Sequence, residues 1–593
     1  MKECGLYLAP SSIPGAGLGM YSGNKPYIVD ELVSDSDLMI PTWDLDYHNG
    51  LDEYSFLWDE YTWSSSMFPG MLDDTEDMST TSTISSGFGA AINCMMPLVN
   101  VADEDQWSAE TAYALTRSGL SSKSPSTGAN TPMVGRRFIA IDNIKPFSEL
   151  YASYGEGYFD GRPAYDFVPF DRHYDRADVL INTFIRNVTT LQEDDTSIDK
   201  FVSSKNFEQE LWGFIVELRQ IWDKSKLMFA IPGDNTTSID DLEEILDAGG
   251  SAKQNYQDTI KNQEWMDKNG QCIDNIRDGI SRIPDAGRGA FASRDIKRGG
   301  LVSPAPLVHL ANRTSLTIYD HMITEEGHWK RNVDSPIHQQ LVLNYCFGHR
   351  DTLLLLCPYG HLNFLMNHDH KNPNTKVVWT EKKRLRHPEW FEQPLEEWGK
   401  TFHSGLSLDY VALRDIEEGE EITLDYGIEW ENAWQKHVKN FDPPRPRYIP
   451  AFELDEMDDL IIPTKFELDK QLDGVLTFCR TYYFPDNFDI SPFKFRTPED
   501  EDDEAEYHYT CRVLIRNDTD NSYTVEITEA EKWLGRKDMY ETMYETSAMI
   551  LFNIPRDGIF FRDKNYARDH HQFWSFRHDM RLPDELLPDL WKN

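Results

Sequence analysis

Short apolar runs set off by turn residues, rather than long helical stripes, dominate this chain of 593 residues. VALRDI (411–416) and EEITLDYG (420–427) are β-prone stretches separated by the turn EEGE, and LLLLCPYG and TKVVWT are further strand candidates. Between about 166 and 270 the pattern changes to helical spacing. Asn206 with Gln209 can cap a helix that puts Phe207, Leu211, Phe214, Leu218 and Ile221 on one face. Ser238 with Asp241, followed by LEEIL and Gly249–Gly250, carries the start and stop signals of a second helix. Beyond residue 433 the chain turns β-prone again. PPRPRYIP reads as an extended linker, and EYHYTCRVLIRN and SYTVEIT flank DTDN as a hairpin would. The terminal FRHDMRLPDELLPDLW holds enough apolar residues to pack against another element.

The pattern repeats. SIPGAGLGMYS (12–22) matches SRIPDAGRGAFAS (281–293), and AIDNIKPFSELYASYG (140–155) matches ALRDIEEGEEITLDYG (412–427). In between, Asn93 precedes Asn100 by seven residues, and Asn367 precedes Asn374 by the same interval. Gly17 to Asn93 spans 76 residues against 80 from Gly287 to Asn367; Asn93 to Tyr154 spans 61 against 59 from Asn367 to Tyr426. Three matches in one order at similar spacing imply a duplicated β-rich unit. The expected organisation is a first copy over 1–165, a helical spacer over 166–270, a second copy over 271–432 and a C-terminal α+β domain over 433–593, mainly β with α overall.

Charge and cysteine usage narrow the function classes. The chain has 58 basic and 101 acidic residues, a formal charge of −43. Such a surface repels phosphate backbones, which disfavours direct nucleic-acid binding, and attracts a basic protein segment. The acidic run PEDEDDEAE reads as a solvated loop. The seven cysteines are dispersed with no CxxC pair, which argues against a disulfide framework and a zinc cluster and for a reducing, intracellular setting, nucleus or cytoplasm. No apolar run is long enough to span a bilayer, and MKECGLYLAPSS lacks the apolar stretch of a signal peptide, so no membrane partner is expected. Four N-x-S/T sequons, at Asn187, Asn235, Asn312 and Asn517, are near the number chance gives. His570 and His571 are adjacent in a charged segment and receive no metal role.

The second copy holds the sharpest chemistry. NFLMNHDHKNPN, followed about fifty residues later by EEITLDYG and preceded by AGRGAFASRDIKRG, resembles the hallmark motifs of SET-domain protein lysine methyltransferases, over roughly residues 280–430. The resemblance implies a tandem of SET-type β folds and S-adenosylmethionine as cofactor. It also implies roles by position. Gly287, Arg288 and Gly289 would approach the cofactor through backbone groups, Asn367 and His368 would hold its amino-acid and adenine ends, and Tyr426 would sit where methyl donor meets acceptor. Trp430 is a candidate to stack on the adenine. The substrate would be a lysine-containing, basic protein or peptide, histone or not. Some members of the family carry a cysteine-rich zinc segment after the tyrosine. No cysteine stands between Cys357 and Cys479, so no metal is expected and IEWENAWQKH (428–437) becomes the candidate lid.

In the first copy Cys94 stands where the histidine belongs, Tyr154 and Gly155 persist, Tyr158 takes the place of Trp430, and the Ser/Thr-rich SGLSSKSPSTGANTP (118–132) interrupts the unit. It reads as a degenerate copy used for scaffolding or substrate docking. The alternative for the whole chain is a catalytically silent SET-like scaffold that holds a basic partner.

Overall fold

The computed structural model describes residues 4–42, 57–65, 81–105, 124–129, 135–160, 168–193, 210–215, 226–232, 238–255, 259–323, 329–382, 387–398, 405–441, 449–482, 506–529, 549–563 and 575–592, isolated positions within these ranges excepted, and Arg162. The acidic run 498–505, the linker 442–448, His570 and His571, and much of the expected 206–221 helix lie outside them; residues 210–215 are helical.

The second copy is built on one large sheet. Its strands run in the spatial order Ile276–Ile280, Arg288–Ala292, Glu421–Leu424, Thr375–Trp379, Ser407–Ala412, Leu301–Leu310, Leu355–Pro358, Phe347–Gly348 and Met580–Arg581, and Asn367–His368 pairs beside Glu421–Leu424. The apolar runs account for this order. Leu301–Leu310 is buried at nearly every position, as a strand covered on both faces must be. The turn EEGE lets Ser407–Ala412 and Glu421–Leu424 return to the same sheet, with Gly419 at φ 81°.

The first copy folds into two smaller sheets. One orders Glu149–Leu150, Leu18–Ser22, Leu6–Pro10 and Gln271–Cys272; the other orders Thr62–Ser65, Thr81–Ser86, Leu32–Pro41, Gly135–Ala140 and Val101–Asp105. The local patterns repeat at the level of register. Met20 faces Leu150 as Ala290 faces Ile422, and Asn93 bridges Tyr151 as Asn367 bridges Thr423.

The spacer is helical, as its spacing predicts. Ser238 caps Ile239–Asp247 with a complete capping box to Asp241, and Leu242 and Ile245 are buried. Upstream lies the longest described helix, Asp171–Glu193, which buries Tyr174, Ala177, Ile181, Phe184 and Val188 at i, i+3/i+4 spacing. Among the described residues no helix is long and apolar enough to cross a membrane. The predicted hairpin forms: Glu506–Asn517 pairs antiparallel with Ser522–Glu529 inside a five-stranded C-terminal sheet.

Three expectations need correction. The dispersed cysteines pair: Cys4 with Cys272, Cys346 with Cys357, and Cys479 with Cys511, leaving Cys94 as the free thiol. Sequence dispersal hid this because pairs 268 and 32 residues apart meet only through the tertiary fold. The argument for a reducing compartment loses its footing with it. Second, the C-terminal unit is split. Met580, Leu582, Leu586, Leu587 and Trp591 join the core of the second copy, not that of the C-terminal sheet. Third, the boundary between the copies is crossed: the first copy has its own core around Leu8, Met20, Phe88 and Phe138, but its Leu38, Ile40, Leu57 and Ile84 join that of the second. The Ser/Thr-rich loop is also drawn in, with its Pro125, Gly128 and Ala129 carbonyls accepting from His437, Arg577 and Asn344.

Candidate active site

The two distant motifs of the second copy converge because Asn367–His368 pairs in parallel with Thr423–Leu424. This places Asn367 between two strands. Its amide donates to the Arg288 carbonyl at 2.7 Å and reaches Glu421 Oε1 at 3.4 Å. Glu421 in turn accepts from Ser281 Oγ at 2.6 Å and from the Arg282 N–H at 2.7 Å, tying down the turn before Gly287. On the far side, Asn374 clamps the same strand, donating to the Glu421 carbonyl at 2.7 Å and accepting from the Thr423 N–H at 2.8 Å. Asn374 is thus a bidentate staple of backbone that would otherwise carry unpaired groups, while Asn367 joins one backbone carbonyl to the Glu421 carboxylate.

The glycines have separate reasons. Gly287 sits at φ 72°, a left-handed conformation that side chains disfavour. At Gly289 a Cβ would meet Glu421 Oε1 at 2.6 Å, so any larger residue would displace the Glu421 anchor. Between them the Arg288 side chain turns to Asp278 at 3.2 Å, and its carbonyl faces Asn367. The stretch 287–289 thus presents backbone on the Asn367 side.

Tyr426 is held at both ends. Its hydroxyl donates to the Met366 carbonyl at 2.6 Å, and its N–H donates to His368 Nδ1 at 2.9 Å. Since Nδ1 accepts, the neutral imidazole carries its proton on Nε2, which meets Glu431 at 3.0 Å. Burial, with the Tyr345 phenol nearby, pushes the Tyr426 hydroxyl well above its ordinary range. The phenol therefore stays protonated at physiological pH, with its proton committed to a carbonyl and its lone pairs free to accept. Tyr410, fully buried, is shifted the same way by burial and by Tyr426.

Trp430 lies on the helix Ile428–Asn440, one turn beyond Tyr426. Its ring centroid is 4.7 Å from His368 and 5.0 Å from Tyr426, edge-on to the latter, and it stacks on Trp434 at 5.8 Å. The structure brings together all the residues singled out in this copy: Gly287, Arg288 and Gly289 through backbone, Asn367 and His368 on the neighbouring strand, and Tyr426 and Trp430 around the imidazole.

The C-terminal tail packs against another element as expected, but the sequence did not indicate that this element is the site. Phe576 sets its edge against Trp430 and Trp434 at 5.4 and 5.1 Å. The Arg581 N–H donates to the Tyr426 carbonyl at 2.8 Å, and its side chain pairs with Glu429 and Asp584. Asn344 locks the tail, donating to the Phe576 carbonyl and accepting from the His578 N–H, both at 2.9 Å. Buried Arg577, lowered to about 9 by desolvation, donates to the Gln339 and Gly128 carbonyls. The segment 428–437 expected as a lid lies in the helix Ile428–Asn440, and the tail packs Phe576 against its Trp430 and Trp434. The only signal in the sequence was the apolar content of FRHDMRLPDELLPDLW.

The arrangement suits a ligand with an apolar planar part and a polar part. Aromatic rings and an imidazole line one side, and backbone groups fixed by Asn367 line the other. These residues fit the S-adenosylmethionine that the sequence motifs imply, with no metal ligand required.

A family model of the SET domain matches residues 287–427. Among curated proteins no relative matches. Solved structures similar to this chain include a candidate histone methyltransferase of Plasmodium falciparum, at 19% identity over 26% of this chain and 96% of that one, with a TM-score of 0.17. They also include the Chaetomium thermophilum polycomb repressive complex 2, at 19% identity over 26% of this chain and 15% of that one, with a TM-score of 0.14, and an active polycomb repressive complex 2 in the stimulated state, at 18% identity over 26% and 15%, with a TM-score of 0.16. The chain thus spans under a sixth of the length of these two polycomb chains. Residues 287–427 of this chain are a SET domain.

Proposed function

We propose that this protein is an S-adenosylmethionine-dependent protein lysine N-methyltransferase whose active site is the Gly287–Asn367–Tyr426 cluster. The observation that carries the reading is the double fixation of Tyr426, hydroxyl to Met366 and N–H to His368, beside the Asn367–Arg288 contact. Methyl transfer from a sulfonium is an in-line displacement, so positioning supplies most of the acceleration. S-adenosylmethionine held by the Asn367–His368 strand and the backbone of 287–289 would supply an electrophilic methyl group to a lysine nitrogen and would leave as the neutral thioether. The protein's part is to hold and orient: backbone at 287–289 and the Asn367–His368 strand cradle the donor, Trp430 covers its planar end, and the Tyr426 oxygen accepts a hydrogen bond from the incoming amine. The amine loses its proton before attack, and Tyr426, neutral and shifted upward, does not compete as a nucleophile. The charge of −43 favours basic lysine-rich segments as substrates.

Hydrogen exchange with and without S-adenosylmethionine tests the assignment. Protection should appear together in peptides covering 287–291, 366–370 and 426–434. Absence of protection in these three stretches would refute it.

A further inference from the structure

The contacts that build the donor side of this site occur a second time, around Asn93. The Asn93 amide donates to the Leu18 carbonyl at 2.8 Å and reaches Glu149 Oε1 at 3.5 Å, as Asn367 does to Arg288 and Glu421. Glu149 accepts from Ser11 Oγ at 2.6 Å and the Ser12 N–H at 2.7 Å, as Glu421 does from Ser281 and Arg282. Asn100 donates to the Glu149 carbonyl and accepts from the Tyr151 N–H, both at 2.9 Å, matching Asn374. Gly17 repeats the conformation of Gly287, at φ 73°. The Tyr154 hydroxyl donates to the Ile92 carbonyl at 2.5 Å, and its N–H donates to Cys94 Sγ at 3.4 Å, so the thiol replaces the imidazole as acceptor. Tyr158 stands edge-on to Tyr154 at 4.9 Å, as Trp430 does to Tyr426.

The acceptor side is not repeated. Strand register aligns Phe138 with Tyr410, since Ser34 faces Phe138 as Ser303 faces Tyr410. Trp63 packs edge-on against both Tyr154 and Phe138, at 5.9 and 6.0 Å, with its N–H committed to the Gly89 carbonyl and Arg136 over its ring. An indole thus stands beside Tyr154 with a phenyl ring behind it, next to the Tyr61 phenol. At Tyr426 the neighbours are the phenols of Tyr345 and Tyr410.

We propose that the N-terminal copy is a second, non-transferring binding site for the adenosyl-sulfur scaffold shared by S-adenosylmethionine and its demethylated product. The proposal rests on the reading of the Asn367 site as the cofactor site. Cofactor contacts made through backbone and asparagine tolerate the exchange of His368 for Cys94. Burial pushes the Cys94 thiol up to about 12, so it stays protonated and is not alkylated by a neighbouring sulfonium. A ligand bound there has no amine to methylate, and the site would report the level of cofactor or product to the neighbouring copy through the strand Leu32–Pro41, whose Val33 lies in the first core and whose Leu38 and Ile40 lie in the second.

The test is a calorimetric titration of the full chain with S-adenosylmethionine and, separately, with S-adenosylhomocysteine, alongside Asn93→Ala and Asn367→Ala. Two equivalents in the wild type and one in each variant are expected. Hydrogen exchange of the wild type guards against a variant that misfolds, and protection of 16–20 and 92–95 on ligand addition is required. Tighter binding of S-adenosylhomocysteine at the Asn93 site would identify a product sensor, and the reverse order a cofactor sensor; either supports the site. One equivalent that vanishes in Asn367→Ala, with no protection at 92–95, would overturn the second site and leave the proposed function standing. One equivalent that survives in Asn367→Ala and vanishes in Asn93→Ala would do the opposite, and no binding at all would overturn both.

Discussion

At the scale of single residues, the site is a set of side chains that mostly hold backbone. Asn367, Asn374 and Glu421 spend their polar groups on the chain itself, which is why the motif could be recognised in the sequence without any of its contacts being visible there. Tyr426 is the exception, with an oxygen left to accept. Its burial-raised pKa has a kinetic consequence. A raised pKa keeps the phenol protonated up to and beyond its ordinary range near ~10. The rate on a lysine peptide should therefore climb with slope one in log kcat/KM between about pH 7 and 9, following deprotonation of an amine whose free pKa is near ~10.4. A falling limb in that window would show that Tyr426 ionises early and would contradict its placement. What the sequence could not display at this scale is tautomer and partner: that His368 accepts at Nδ1 and meets Glu431 at Nε2 depends on a helix beginning at Ile428.

At the scale of elements, short strands and capped helices were legible because their causes are local. Ser238 and Asp241 announce a capping box three residues apart, and the hairpin around DTDN needs only its own turn. The tail Met580–Arg581 was not legible, because its pairing with Phe347–Gly348 joins segments more than two hundred residues apart. Yet it sets the floor under Tyr426. Trp591 is fully buried against Trp398, Phe391 and Trp379. Trp591→Ala should cost about 3–5 kcal/mol in urea unfolding, as large-to-small changes in packed cores do. It should also raise KM for the cofactor, since the tail seats Phe576 on Trp430. A change below about 1 kcal/mol would mean that the tail is not part of the core.

At the scale of the whole molecule, the register that repeats around Asn93 and Asn367 follows the order and spacing of the sequence matches, whereas the packing between the two stretches was not legible. Leu38 and Ile84 cross from the first copy into the second through packing that no periodicity encodes. The cysteines failed as a signal for the same reason. Cys4–Cys272 closes a loop spanning the first copy and the spacer, so Cys4→Ser should lower unfolding stability by roughly 2–5 kcal/mol under oxidising conditions. Excess reductant should abolish the difference between variant and wild type; a difference that persists would place its origin in packing instead. The central claim, that the Tyr426 site moves a methyl group to lysine, is tested most directly by transfer itself. The full chain is incubated with methyl-tritiated S-adenosylmethionine and a lysine-rich peptide library, and the hydrolysate is analysed for methylated lysine. Label in ε-N-methyllysine that falls roughly 10²-fold or more in Tyr426→Phe is the predicted result. Absence of labelled lysine, or transfer undiminished in Tyr426→Phe, would contradict it.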